Sequence, residues 1–108
     1  MEITITKNSE QVVINLSGRL DTTNSNVFDK KIADLILSPP ADMVVDCSEL
    51  TYISSSGLRL FLSLQKSANE AKTTLAFRRI NADIKEILDM TGFTQILSIE
   101  NVELPNIE

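Results

Sequence analysis

The sequence predicts a single α/β domain built on a mixed sheet, with elements in the order β-β-α-β-α-β-α-β. Three observations lead to this class. Two segments near the N-terminus alternate polar and apolar residues, the period of a half-buried strand. A short continuous apolar run in "MVVDC" has the pattern of a strand covered on both faces. Three further segments repeat apolar residues at helical spacing, between capping residues and helix breakers. Strands alternating with helices in this way form packed layers around one core.

The elements follow in order. "EITIT" at residues 2–6 alternates, "KNSE" is turn material, and "QVVINLS" alternates again with Val12, Ile14 and Leu16 on one face. The pair reads as a hairpin, ended by Gly18. "TTNSN" after "RLD" is rich in side chains that cap a helix start. Phe28, Ile32, Leu35 and Ile36 then recur at helical spacing up to Pro39 and Pro40, which no helix continues through. "MVVDC" is the next strand, with Asp46 closing it. A helix is expected from about 56 to 70, with Leu60, Phe61, Leu64, Ala68 and Ala71 on one side. "TTLAF" is a strand, and Asn81 caps a short helix carrying Ile84, Ile87 and Leu88 that Gly92 closes. "TQILSI" reads as the last strand. The tail at 100–108, "ENVELPNIE", shows no period and is expected as a partly loose end of the one domain, 1–108.

Composition narrows the function. A length of 108 residues suits one modest core, and 43% hydrophobic with 23% charged residues is the balance of a soluble globular chain. Fifteen acidic against ten basic residues leave a formal net charge of −5, which repels phosphate backbones and argues against nucleic-acid binding. Arg78 and Arg79 are too few to line a groove and read as a solvated strand end. Cys47 is the single cysteine, which excludes an internal disulfide or a thiolate metal cluster and points to a reducing, cytoplasmic setting. Its apolar surroundings suggest a buried, inert thiol. No leader-like segment and no 18-residue apolar run is present, so neither secretion nor a membrane span is expected.

The chemistry concentrates in "TYISSSGLRL", residues 51–60, where three serines precede a glycine and a leucine-rich run. A serine nucleophile needs a base, and the chain has no histidine. The Gly-x-Ser-x-Gly elbow is missing, and Lys66 would lie about three helical turns from Ser55. No catalytic residue is therefore assigned. Phosphate cradling at a helix start is a second reading, but one glycine falls short of a Gly-rich loop with its lysine. A plain helix cap by one of Ser54, Ser55 or Ser56 explains one hydroxyl and leaves two unexplained. The third reading makes a serine the substrate of another protein's kinase. A phosphate at a helix N-terminus is favoured by the dipole, so the modification would leave the fold standing and change what docks there.

At these residues the chain resembles the STAS domain (sulfate transporter and anti-sigma factor antagonist), in its stand-alone bacterial anti-sigma factor antagonist form. The resemblance rests on "SGRLDTTNSNVF", "VVDCSELTYISSSGLRLFL" and "DIKEILDMTGFTQIL", three blocks in order from about Val12 to Leu97. It implies a mixed sheet with helices mainly on one face. It also implies a partner switch without cofactor or metal. The unphosphorylated antagonist binds an anti-sigma factor that is a GHKL-type serine kinase, freeing the sigma factor. The kinase then modifies the serine two before the motif glycine, here Ser55, and a PP2C-type phosphatase resets it. The implied partner-binding residues are Asp21 and Thr22, with Ser54, Ser55, Ser56, Gly57, Leu58 and Arg59.

Many phosphorylated members carry aspartate where this chain has Ser54, which leaves Ser54 and Ser56 as rival phosphosites. Asp21 matches an acidic position in the family's other switch-side loop and equally reads as a helix cap. Arg59 is expected to face water. A different role within the family is a subunit bracing the ATPase of a lipid-transport complex, which needs no phosphorylation.

Overall fold

In the computed structural model, residues 1–8 and 11–100 are described. Strands β1 (Glu2–Lys7) and β2 (Val12–Leu20) are followed by helix α1 (Ser25–Leu37), strand β3 (Asp42–Ile53), helix α2 (Ser55–Ala71), strand β4 (Thr74–Arg78) and helix α3 (Ala82–Thr91). One four-stranded sheet runs β1-β2-β3-β4. The hairpin pair β1 and β2 is antiparallel, Ile5 facing Ile14 and Ile3 facing Leu16. The pairs β2/β3 and β3/β4 are parallel, as helical crossovers require. The expected tail at 101–108 lies outside the described residues.

The core occupies one side of the sheet. Val12, Ile14 and Leu16 of β2, Met43, Val45 and Cys47 of β3, and Leu75 and Phe77 of β4 are buried with Phe28, Ile32 and Leu35 of α1. Phe61 on α2 sits centrally, its ring 6.2 Å from Phe28 and 4.8 Å from Phe77. Aromatic rings at such separations add to the burial of their apolar area. Cys47 is fully buried, and burial together with the Asp46 charge pushes its thiol up to about 12, so it is inert at neutral pH.

The structure corrects several expectations. β3 runs well past "MVVDC" to Ile53, so Asp46 stands inside the strand rather than closing it. Leu60 is only half-buried and Ala71 exposed; α2 turns Gly57, Leu58, Phe61, Leu64, Gln65 and Ala68 inward instead. Buried Gln65 is tolerated because its amide donates to Asn69 Oδ1 at 3.0 Å and accepts from the Ser98 N–H at 2.8 Å.

That second bond also bears on the expected last strand. The first two residues of "TQILSI" belong to a 3₁₀ turn, Phe93–Gln95, and its last, Ile99, forms an isolated parallel bridge with Phe77. Gln65 takes the Ser98 N–H, and the backbone hydrogen bonds to β4 are Phe77 N–H to Ser98 O and Glu100 N–H to Phe77 O.

Arg78 and Arg79 are more than a solvated strand end. Asn15, Asp46 and Arg78 stand in one register row across β2, β3 and β4. The Arg79 Nε and Nη2 atoms donate to Asp46 Oδ2 at 3.1 and 2.9 Å, and Arg78 Nη2 lies 3.7 Å from the same oxygen. Arg79 holds φ 60, a left-handed conformation that costs an L residue about 1–2 kcal/mol and that this charge-assisted grip offsets.

Burial opposes ionisation of Asp46, yet the Ser48 N–H and the Arg79 guanidinium outweigh it and hold the carboxyl below its usual value. A depressed folded pKa contributes stability above the unfolded value of about 4, and that contribution is lost as pH falls through the folded value. Urea unfolding between about pH 6 and about pH 2 should therefore show an acid loss that is shallower in Asp46→Asn. Equal slopes for both proteins would show that Asp46 contributes nothing to it.

Candidate functional site

The parallel strands β2 and β3 end side by side, Leu20 in register with Ile53, and each leads into a loop that starts a helix. The C-terminal ends of such strands are where open α/β sheets carry their sites. A hydrogen bond from Ser54 N–H to Leu20 O, 2.9 Å, extends the ladder by one step and ties the two loops together.

The three serines have three different environments. Ser54 is the N-cap of α2, extended at φ −90 and ψ 175, and its Oγ accepts from Gly57 N–H at 3.3 Å. It is buried. Ser56 is half-buried, its Oγ 2.9 Å from Ser54 Oγ, close enough for either hydroxyl to donate to the other. Ser55, the first residue of α2, is exposed, and no group among the described residues bonds to its hydroxyl. The first turn of α2 carries no acidic residue, so the positive end of its dipole is not compensated there.

Gly57 explains how the turn comes so close to the strands. A Cβ at this position would stand 2.8 Å from Leu20 Cγ and 2.9 Å from Ile53 Cγ1, inside van der Waals contact. The side chain is absent because the strand ends occupy its place. Leu58 is buried in the core beside it. Arg59 is exposed, as expected.

Asp21 does not cap α1. Its Oδ1 accepts from Thr23 N–H at 3.0 Å and from Thr23 Oγ1 at 2.6 Å, a closed Asx turn. Those two bonds, with Arg19 nearby, hold its carboxyl below the ordinary value. Asn24 locks the loop from the other side: its Oδ1 accepts from Asp21 N–H at 2.9 Å, and its Nδ2 donates to Arg19 O at 2.8 Å. Asn24 occupies the N-cap position of α1 but spends its side chain backwards, on the loop. Thr22 is exposed at the loop tip, and the Arg19 guanidinium stacks 4.3 Å above the Tyr52 ring.

Asp21, Thr22 and the serine loop thus lie at one end of the sheet. The Ser54–Ser56 contact and the Asn24 lock were not read from sequence. "TTNSN" carried the signal for the second, since Asp and Asn fold back on their own loop as readily as they cap.

No group of three His, Cys, Asp or Glu residues among those described could hold a metal ion. A groove of about 300 Å³, lined by Ile36, Ser63, Lys66, Ser67 and Glu70, lies away from the serines toward the later turns of α2. No helix among the described residues is long and apolar enough to cross a membrane.

The family model of the STAS domain matches residues 2–104. BtrV of Bordetella bronchiseptica is 25% identical over 101 residues, covering 94% of this chain and 87% of that protein. An anti-sigma F factor antagonist of Paenibacillus polymyxa is 27% identical over 94 residues, 86% of this chain and 80% of its own length. In structure, the chain matches the Bacillus protein SpoIIAA in its phosphorylated form with a TM-score of 0.73 at 17% identity, covering 94% of this chain and 92% of that one.

Proposed function

The chain belongs to the STAS domain family, and we propose that within it this protein is an anti-sigma factor antagonist switched by phosphorylation of Ser55. The whole chain, 1–108, is read as that one domain, acting in the cytoplasm and without enzymatic activity. Unphosphorylated, it binds an anti-sigma factor with serine kinase activity of the GHKL type and so releases a sigma factor. Phosphorylated, it lets go until a phosphatase of the PP2C type restores it.

The observation that carries this reading is the environment of Ser55. It is the exposed serine of the three, it starts α2, and its hydroxyl is not committed to the fold. A kinase needs such a hydroxyl, and the helix start tolerates the product. Names of relatives agree, since the antagonists of Paenibacillus polymyxa and of Bacillus subtilis both act on anti-sigma factors by name. SpoIIAA has also been solved in a phosphorylated form. The zero count of histidine leaves no usual base to turn a serine into a nucleophile.

Phosphopeptide mapping of the protein isolated from its native cells tests the reading. One phosphate is expected, on Ser55, and Ser55→Ala should abolish it while leaving partner binding nearly intact. A serine kinase should copurify with the unmodified protein. Phosphate on Ser54 or Ser56 with Ser55 clean, or copurification with a transport ATPase in place of the kinase, would sink the proposal.

A further inference from the structure

We infer that the Ser54–Ser56 hydroxyl pair is a specificity device, which holds two of three adjacent serines back from the kinase and leaves Ser55 as the main acceptor. The inference rests on the reading of Ser55 as the phosphosite and goes beyond it to how one serine in a run of three is chosen.

Phosphoryl transfer makes a demand on the acceptor. Its Oγ must turn toward the γ-phosphorus of a nucleoside triphosphate held by the kinase. A new O–P bond forms as the bond from phosphorus to the β,γ-bridging oxygen breaks, the hydroxyl proton passes to a base of the kinase, and the nucleoside diphosphate leaves. A hydroxyl already held inside the fold cannot approach without giving up its partner.

Ser54 and Ser56 are held in this way. Ser54 is 9% exposed, its N–H is bonded to Leu20 O, and its Oγ accepts from Gly57 N–H. Ser56 reaches past Ser55 to place its Oγ 2.9 Å from Ser54 Oγ. Two positions apart at a helix start, the pair holds its hydroxyls to each other, while Ser55 between them remains exposed. Ser54 is thus both cap and anchor. An aspartate at 54 would keep both acceptor roles, toward Gly57 N–H and toward a Ser56 hydroxyl that donates. A residue with no side-chain acceptor would keep neither. Ser54 and Ser56 are positioning residues here, and Ser55 receives the phosphate.

The test compares wild type, Ser54→Ala and Ser54→Asp by quantitative phosphopeptide mapping of each protein isolated from native cells. In Ser54→Ala the fraction of phosphate on Ser56 should rise about fivefold over wild type, the factor that one neutral hydrogen bond of about 1 kcal/mol represents. Ser54→Asp should return it to the wild-type level. Three-bond couplings to the β-protons provide a readout on the wild-type protein alone, with no kinase and no variant that must fold. Ser56 should occupy a single χ1 rotamer and Ser55 should average over several.

The outcomes separate the two claims. Phosphate absent from Ser55 in the wild-type chain overturns the phosphosite assignment and this inference with it. A share of phosphate on Ser56 that does not rise from wild type to Ser54→Ala, or a rotamer-averaged Ser56 in the wild-type protein, overturns the hydroxyl device and leaves the Ser55 switch standing.

Discussion

Phosphorylation of Ser55 is expected to weaken binding to the copurifying serine kinase by roughly two orders of magnitude, while the melting temperature of the free protein moves by only a few degrees. The two effects differ in size because they draw on different environments. A phosphoserine carries about −1.5 to −2 charges and three acceptor oxygens. In the free protein it sits in water at the start of α2, whose first turn carries no acidic residue and whose dipole favours it by about 0.3–1 kcal/mol. A docked partner must desolvate the same exposed position, and burying such a charge unpaired costs several kcal/mol after relaxation. Even 3 kcal/mol is about a hundredfold in affinity. Ser55→Asp has less charge and should lower affinity severalfold or more in the same direction. Titration calorimetry of the pair, beside thermal melts of the free variants, checks both halves. Unchanged affinity with a collapsed melting temperature would make Ser55 a structural residue and no switch.

Gly57→Ala is expected to cost about 1–3 kcal/mol of stability, the range for a methyl forced into a filled core. For a domain of this size each kcal/mol lowers the melting temperature by about 4–8 °C. The new Cβ would stand 2.8 Å from Leu20 Cγ and 2.9 Å from Ile53 Cγ1 and Leu20 Cδ2, and both side chains are fully buried, with no free space to yield into. Relief requires the first turn of α2 to lift off the strands, which loosens Ser54 N–H from Leu20 O and displaces Ser55. Stability and partner affinity should therefore fall together. Gly92→Ala is the contrast, because nothing among the described residues lies within 4 Å of its added Cβ and the backbone, at φ 82, is what opposes it. It should lose about 1–2 kcal/mol and bind the partner as wild type does. Gly57→Ala with wild-type melting and affinity would show that the turn has room to spare.

Much of this architecture is written locally. The hairpin alternation, the arrest of α1 before Pro39 and Pro40, the capping of α3 by Asn81 and its closure by Gly92 all appear where the residues predict. A cap, a turn or a periodic face needs only neighbours within a few positions, so a string of letters contains its cause. The serine run was legible in the same sense, as the mouth of a helix with hydroxyls to spare.

What the sequence by itself determined is therefore the order of the first seven elements and the location of the serine loop at the start of α2. The tertiary structure decided the rest. It decided that Ser54 caps and Ser56 leans on it, that Gly57 is small because Leu20 and Ile53 fill the space, and that Asp46 binds Arg79 from 33 positions away. It also turned the inner face of α2 to include Gln65, whose amide takes the Ser98 N–H, and reduced the last expected strand to one bridge. Each of these depends on which distant segment arrives alongside. Burial and hydrogen-bond partners are properties of that meeting, and no local pattern records them.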